Sequence, residues 1–203
     1  CIPVPGAAVE NARASIAEQI ASIELPEGYD MKWEGEKSAS NESMKYLFKY
    51  YPLAVILMIA ILIALFKDYR KPAIIVLCLP LLFIGVIFGM MLSGKTFGFV
   101  AIVATLGLVG MLIKNGIVLM DEITLQINAG KEPVDALMES SASRFRPVML
   151  ASLTTILGMI PLLGDSLFGP AAVVIMGGLL VGTLITLLFI PVLYALFYRI
   201  RIK

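Results

Sequence analysis

The sequence predicts a mainly α-helical, polytopic membrane bundle of five transmembrane helices, with a short extracytoplasmic α/β remnant ahead of it. Three observations predict this class. Hydrophobic residues make up 59% of the chain and charged residues 15%, with a mean hydropathy of +0.92, whereas an ordinary soluble domain is about one quarter charged. Five long apolar runs follow one another, at about 47–66, 72–92, 97–120, 143–163 and 171–198. The connections between them are sided: Lys67, Arg70, Lys71, Lys131, Arg144, Arg146, Arg199, Arg201 and Lys203 fall on one side, and only Lys95 falls on the other. Cytoplasmic loops carry the Lys/Arg excess, so the C-terminus is expected in the cytoplasm and residues 1–46 outside it.

Residues 1–46 are polar. Ala8, Ala12, Ile16, Ile20 and Ile23 recur at helical spacing, which predicts an amphipathic helix over Ala7–Ile23. Leu25-Pro26-Glu27-Gly28 ends it, and Tyr29, Met31 and Trp33 then alternate with Asp30, Lys32 and Glu34. That alternation predicts one strand with a single buried face over Tyr29–Glu36. One helix and one strand of this size cannot bury a core of their own, so the segment reads as the tail of a larger α/β domain. The chain starts at Cys1 with neither Met nor a signal peptide. A cut through a longer chain explains this better than a lipidated cysteine.

The first two runs, Leu47–Phe66 and Pro72–Leu92, are plain apolar spans, and Cys78 within the second reads as a small hydrophobe. The third, Phe97–Met120, has 24 residues and as a helix extends about 36 Å, enough to cross a hydrocarbon core of about 30 Å. Past it, residues 121–142 read as a cytoplasmic loop: the third helix runs on, breaks at Asn128-Ala129-Gly130, and a short surface helix follows. The fourth run, Val148–Leu163, extends back through Pro147 to Ser143, placing that proline in a first helical turn, where its missing N–H costs little. Ala171–Phe197 is the fifth.

Small residues four apart, Gly85 with Gly89 and Gly178 with Gly182, predict close helix contacts. Pro80, Pro161 and Pro191 each free a carbonyl that neighbours must satisfy. Ser152, Thr154, Thr155, Thr183 and Thr186 are the polar groups of the last two spans, and a hydroxyl in such a helix commonly bonds its own backbone.

Lys114 stands apart, because a lysine inside a span costs on the order of 2.5–3.5 kcal/mol on insertion scales and is normally paired or turned to a wet interior. It lies about 9 Å from the end of its run, so snorkelling to the headgroups is the plainer alternative. Asn115 beside it, Gly107 and Gly110 on its own face, and Asp121 in line seven residues on favour an interior-facing amine. The glycines would let a neighbouring backbone approach the ammonium. None of the other four apolar runs contains Asp or Glu, so the counter-charge is expected from outside this chain.

Several function classes drop out. The chain has no histidine and a formal net charge of +1; imidazole metal sites and Ser-His or Cys-His catalysis cannot be built. No basic cluster with interleaved aromatics points to nucleic acid, and no nucleophile, metal set or phosphate loop points to an enzyme or a cofactor. A non-transporting membrane anchor or assembly subunit is the reading from another class.

Gly107-Leu-Val-Gly-Met-Leu-Ile-Lys-Asn-Gly-Ile-Val-Leu-Met-Asp-Glu122, then Arg144-Phe-Arg-Pro-Val-Met-Leu-Ala-Ser-Leu153 and Leu157-Gly-Met-Ile-Pro-Leu162, resemble the C-terminal part of a resistance-nodulation-division efflux pump. The Lys-Asn core is similar to the hydrophobe/amphiphile branch; the heavy-metal branch usually lacks that lysine. Leu25-Pro26-Glu27-Gly28-Tyr29 through Trp33-Glu34-Gly35 resembles the last strand region of the family's second porter lobe, so the resemblance covers nearly the whole chain as that strand region plus spans eight to twelve.

The resemblance implies a proton-driven drug/proton antiporter of the bacterial inner membrane. Lys114 matches the relay lysine that pairs with two aspartates supplied by the N-terminal half, with Asn115 beside it. Arg144 matches an arginine on the cytoplasmic side of the proton path. A Thr usual to the family is Ala151 here, and Thr155, one turn on, or Ser152 is the expected substitute if it faces Lys114. The family works as a homotrimer with a periplasmic adaptor and an outer-membrane channel. An RND-like lipid exporter or a translocation accessory would use the same helices.

Overall fold

The computed structural model describes residues 36–200 and, before them, residues 16, 20, 22, 23 and 26. The chain divides into two units, Cys1–Phe48 and Lys49–Lys203. In the first, Ile16 and Ile20 are helical. The rest of the predicted Ala7–Ile23 helix and the predicted strand lie outside the described residues, except that Glu36, the strand's expected last residue, already begins a helix.

Five long helices follow: α1 (Glu36–Phe66), α2 (Arg70–Ser93), α3 (Phe99–Asn128), α4 (Pro133–Met159) and α5 (Gly169–Phe197), with a 3₁₀ segment (Ile160–Gly164) between the last two. Each is long and apolar enough to cross a membrane, which makes the chain a polytopic membrane helix bundle.

Two helices start earlier than their apolar runs. The α1 helix begins at Glu36, not at Leu47, because residues 36–46 contain no Gly or Pro to stop it. The α4 helix begins at Pro133 and continues without a break through residue 143, so the separate surface helix predicted over the 121–142 loop does not exist. Pro133 occupies the first turn, where it is pre-organised for a helix, and Asp135 favours the helix N-terminus. Pro147 therefore sits in mid-helix and leaves the Ser143 carbonyl without its intrahelical donor. Pro161 acts as a stop. It cannot donate to Leu157, whose carbonyl instead accepts the Ile160 N–H as the backbone tightens into the 3₁₀ segment.

Tight ends separate the helices. Gly94 closes α2 in the left-handed region (φ 63°) with its N–H on the Met90 carbonyl at 3.1 Å, and Gly130 turns the chain after α3 at φ 88°. At the basic end Lys71, opening α2, donates to Thr124 near the close of α3 at 2.9 Å. At the opposite end Lys95 donates to the Leu163 carbonyl at 2.8 Å. Neighbouring helices thus run antiparallel.

The centre is α5, which packs on α2, α3 and α4. Its membrane-length window is 50% buried, against 6% for that of α1, as expected for a helix apolar all round. One core cluster lies toward the basic end, around Ile74, Met120, Ile123 and Ile190; the other, around Leu82, Leu108 and Val174, lies toward the Lys95 end.

Glycines set the helix spacing. A Cβ on Gly85 would stand 2.6 Å from the Gly177 carbonyl oxygen, and one on Gly177 would stand 2.7 Å from that of Gly85. Gly89 approaches Val173 and Gly177 in the same crossing of α2 over α5. Gly178 and Gly182 receive Leu108 and Leu112 of α3. The pairs read from sequence are therefore contacts, with Gly177 as their missed member.

Candidate functional site

The orientation of α3 is set by its inward residues. Leu108 and Leu112 fill the Gly178/Gly182 surface of α5, and Gly116 lies where a Cβ would come within 3.3 Å of Ile75 and Ile190. Gly116 thus turns toward α2 and α5. Two residues back, about 200° around the helix, Lys114 turns the other way.

Lys114 is exposed, with Asn115 half-buried beside it. The amine expected to face an interior is therefore not enclosed by the described helices of this chain. Val103, Gly107, Gly110, Met111, Lys114 and Asp121 form one exposed stripe along α3. A Cβ on Gly107 or Gly110 would meet nothing within 4 Å; among the described residues neither glycine is a packing contact, because α3 spends its opposite face on α5. Lys114 makes no hydrogen bond or ion pair among the described residues.

The hydroxyls of α4 are spent elsewhere. Thr155 donates to the Ala151 carbonyl of its own helix at 2.9 Å. Ser152 is buried and shares a 2.8 Å hydrogen bond with Thr183 of α5. No hydrogen bond joins either to Lys114.

Arg144 has a partner that sequence reading missed. Its guanidinium forms an ion pair with Glu122 of α3. The other Glu122 oxygen accepts from the Gln126 side-chain amide at 3.0 Å. The Gln126 carbonyl accepts from Lys131 at 3.0 Å, and Lys131 also pairs with Glu139. Only the Glu122–Gln126 bond had a signal in the sequence, since the two are four apart on one face of a helix.

At the same end the Tyr198 hydroxyl donates to Asp68, whose other oxygen accepts the Arg70 N–H at 3.0 Å. Tyr198 stacks on Tyr194 at 4.4 Å, and the Arg70 guanidinium lies 5.6 Å from the Tyr198 ring. The tyrosine hydroxyl, helped by the Arg70 N–H and the nearby cations, holds the Asp68 carboxyl below its ordinary range against the effect of burial. Burial, then the Asp68 carboxylate, pushes the Tyr198 hydroxyl well above the ordinary phenol value. At the opposite end the N–H groups of Phe168 and Leu167 hold the Asp165 carboxyl low in the turn that precedes α5.

The sequence matches the family described as AcrB/AcrD/AcrF from residue 3 to residue 198. The chain belongs to this family. Its membership agrees with the resistance-nodulation-division likeness of the Lys114 and Arg144 motifs. The multidrug resistance protein MdtC of Serratia proteamaculans, an AcrB/AcrD/AcrF relative, is 28% identical over 98% of this chain and 20% of its own length. The nickel and cobalt resistance protein CnrA of Cupriavidus metallidurans is 30% identical over 97% of this chain and 18% of its own length. A crystal structure of a heavy metal efflux pump superposes with a TM-score of 0.73 at 25% identity, covering 97% of this chain and 20% of that one. This AcrB/AcrD/AcrF chain thus spans about a fifth of the length of these relatives.

Proposed function

We propose that this chain forms the Lys114 side of the proton relay in an efflux pump that exports hydrophobic or amphiphilic compounds in exchange for protons. The observation that carries the reading is the open stripe of α3. A lysine amine lies on a membrane-length helix, beside two glycines with free space over them, on a surface that no described residue covers. Such a surface suits a second helix that brings carboxylates to the amine. The N-terminal half of the transporter would supply them as two aspartates.

The chemistry follows from Coulomb attraction. An ammonium and a carboxylate about 4 Å apart at an effective dielectric of 20 attract by about 4 kcal/mol. Protonating the carboxylate removes that attraction, and 4 kcal/mol biases a two-state equilibrium by roughly three orders of magnitude. Lys114 would then release its partner and the helices would reorder. Asn115 lies next to the amine, Arg144 would serve the basic end of the path, and Thr155 could donate its hydroxyl proton only by giving up its bond to Ala151, although its oxygen stays free to accept. The pump would lie in the bacterial inner membrane with its basic end in the cytoplasm and residues 1–46 in the periplasm. It would work as a homotrimer with a periplasmic adaptor and an outer-membrane channel, as a secondary transporter and not an enzyme.

Metal export is the second reading, favoured by the likeness to CnrA and to the heavy metal efflux pump. The Lys-Asn core weighs toward the hydrophobe/amphiphile reading. Both are tested in a host lacking its own pumps, expressing the transporter that contains this chain with or without Lys114→Ala. Resistance to dyes and detergents that disappears in an inserted Lys114→Ala protein is the expected result. Undiminished resistance in that variant overturns the relay, and protection against nickel or cobalt alone transfers the reading to metals.

A further inference from the structure

We propose that Glu122 is a positioning residue of the transport cycle, linking the helix that carries Lys114 to α4 through Arg144. The inference rests on the relay reading of Lys114 and adds the element through which movement of α3 would reach its neighbour.

The helix α4 is held loosely by apolar contact. Only 11% of its membrane-length window is buried, against 33% for each of α2 and α3. Large apolar side chains lie on its outward side, with Met138, Phe145, Leu150, Leu153 and Leu157 exposed. Its inward face at four-residue spacing reads Ser140, Arg144, Val148, Ser152. Two polar attachments therefore matter disproportionately: Ser152 to Thr183 on α5, and Arg144 to Glu122 on α3. Of these the second reaches the Lys114 helix directly, and the Lys131–Glu139 pair reaches it by way of the turn.

Glu122 is built for the task. Its side chain is 16% exposed, so the pair with Arg144 is partly shielded from water, where an ion pair is screened less than at the surface. Both carboxylate oxygens are occupied, one by Arg144 and one by Gln126. Gln126 is fixed in turn by Lys131, and Lys131 by Glu139 of α4. Donors and acceptors alternate along the chain Arg144, Glu122, Gln126, Lys131, Glu139, and the two cations balance the two anions. The chain leaves α4, passes through α3 and the turn, and returns to α4. A shift or rotation of α3 cannot leave Arg144 behind without stripping a partly buried charge of its partner, a costly event.

The test uses the whole transporter reconstituted in proteoliposomes, with export of a fluorescent dye driven by an imposed proton gradient. Glu122→Gln, nearly the same shape without the charge, is compared with Arg144→Gln, with the double variant, and with Lys114→Ala. The expected result is about a tenfold fall in turnover for each single variant of the pair, within the range that coupling-network substitutions produce, with KM for the dye unchanged. The double variant should be no slower than either single one, because both remove the same link. Wild-type turnover in Glu122→Gln, additive losses in the double variant, or a fall explained wholly by lost folded protein each overturn the inference. If Lys114→Ala is inactive while Glu122→Gln is normal, only the link fails; if both are normal, the relay reading fails with it.

Discussion

Gly85 of α2 and Gly177 of α5 meet backbone to backbone, each so close that a Cβ on one would lie within 2.7 Å of the other's carbonyl oxygen. Little is free to yield there, since the obstructing atoms are main chain of the partner glycine and, for Gly85, the Val181 Cβ at 2.7 Å. Gly85→Ala or Gly177→Ala should push α2 off the central helix and destabilise the fold by about 1–3 kcal/mol, as overpacking does. Thermal unfolding in detergent, followed by helical circular dichroism, checks this.

Gly107→Leu and Gly110→Leu should behave oppositely. A Cβ at either position meets nothing within 4 Å among the described residues, so the five-helix unit should insert and unfold as the parent does. Export by the complete transporter should be lost, because the added bulk blocks the helix proposed to dock on that face. Export at parental level in both variants would indicate that the face stays uncovered.

Ser152 and Thr183 form the buried hydroxyl pair between α4 and α5. Replacing Ser152 with Ala leaves Thr183 without that partner, and the expected loss is about 0.6–1.7 kcal/mol, the range for interhelical hydrogen bonds in membranes. Steric trapping or denaturant titration in mixed micelles can measure it. Thr155→Val should cost less, because its hydroxyl only returns to its own helix at Ala151.

Asp68 gives the basic end an acid dependence. Its carboxyl titrates lower in the folded protein than in the unfolded chain, chiefly because Tyr198 donates to it. The contribution is fully present above the ordinary carboxylate range, and it is lost as pH falls through the native value. Tyr198→Phe should therefore lower stability near neutrality and flatten its decline toward acid pH. Unfolding midpoints measured from pH 7 down to about pH 3, near the ordinary Asp value, provide the comparison; a variant as acid-sensitive as the parent counts against the assignment.

Much of this architecture is legible in the chain because a membrane allows few solutions. Backbone groups in lipid must be satisfied within the segment, so five apolar runs of sufficient length become five helices. The glycine spacings in α2 and α5 translate directly into contacts. Helix starts are less legible, since the polar residues of 36–46 and 133–142 do not interrupt a helix; they only lack the hydrophobicity that marks a span. Pro147 was misleading for the same reason, as a proline marks a helix start only when a better one, here Pro133, does not precede it.

The Lys114 site was legible as chemistry and not as geometry. Its spacing from Gly107 and Gly110 places all three on one face, but which side of α3 that face occupies depends on where Leu108, Leu112 and Gly116 pack. The partner of Arg144 depends on the angle between α3 and α4, which no single helix pattern encodes. Gly177 escaped notice because Gly178 beside it completed a recognisable spacing.

The central claim is that the Lys114 face is covered by protein in the complete transporter. A nitroxide attached at Lys114→Cys, with Cys1 and Cys78 replaced, reports this directly through its mobility and its collisions with oxygen dissolved in the bilayer. The account predicts an immobilised label shielded from lipid-phase oxygen. A mobile label freely relaxed by that oxygen would place the side chain in the acyl chains and contradict the relay.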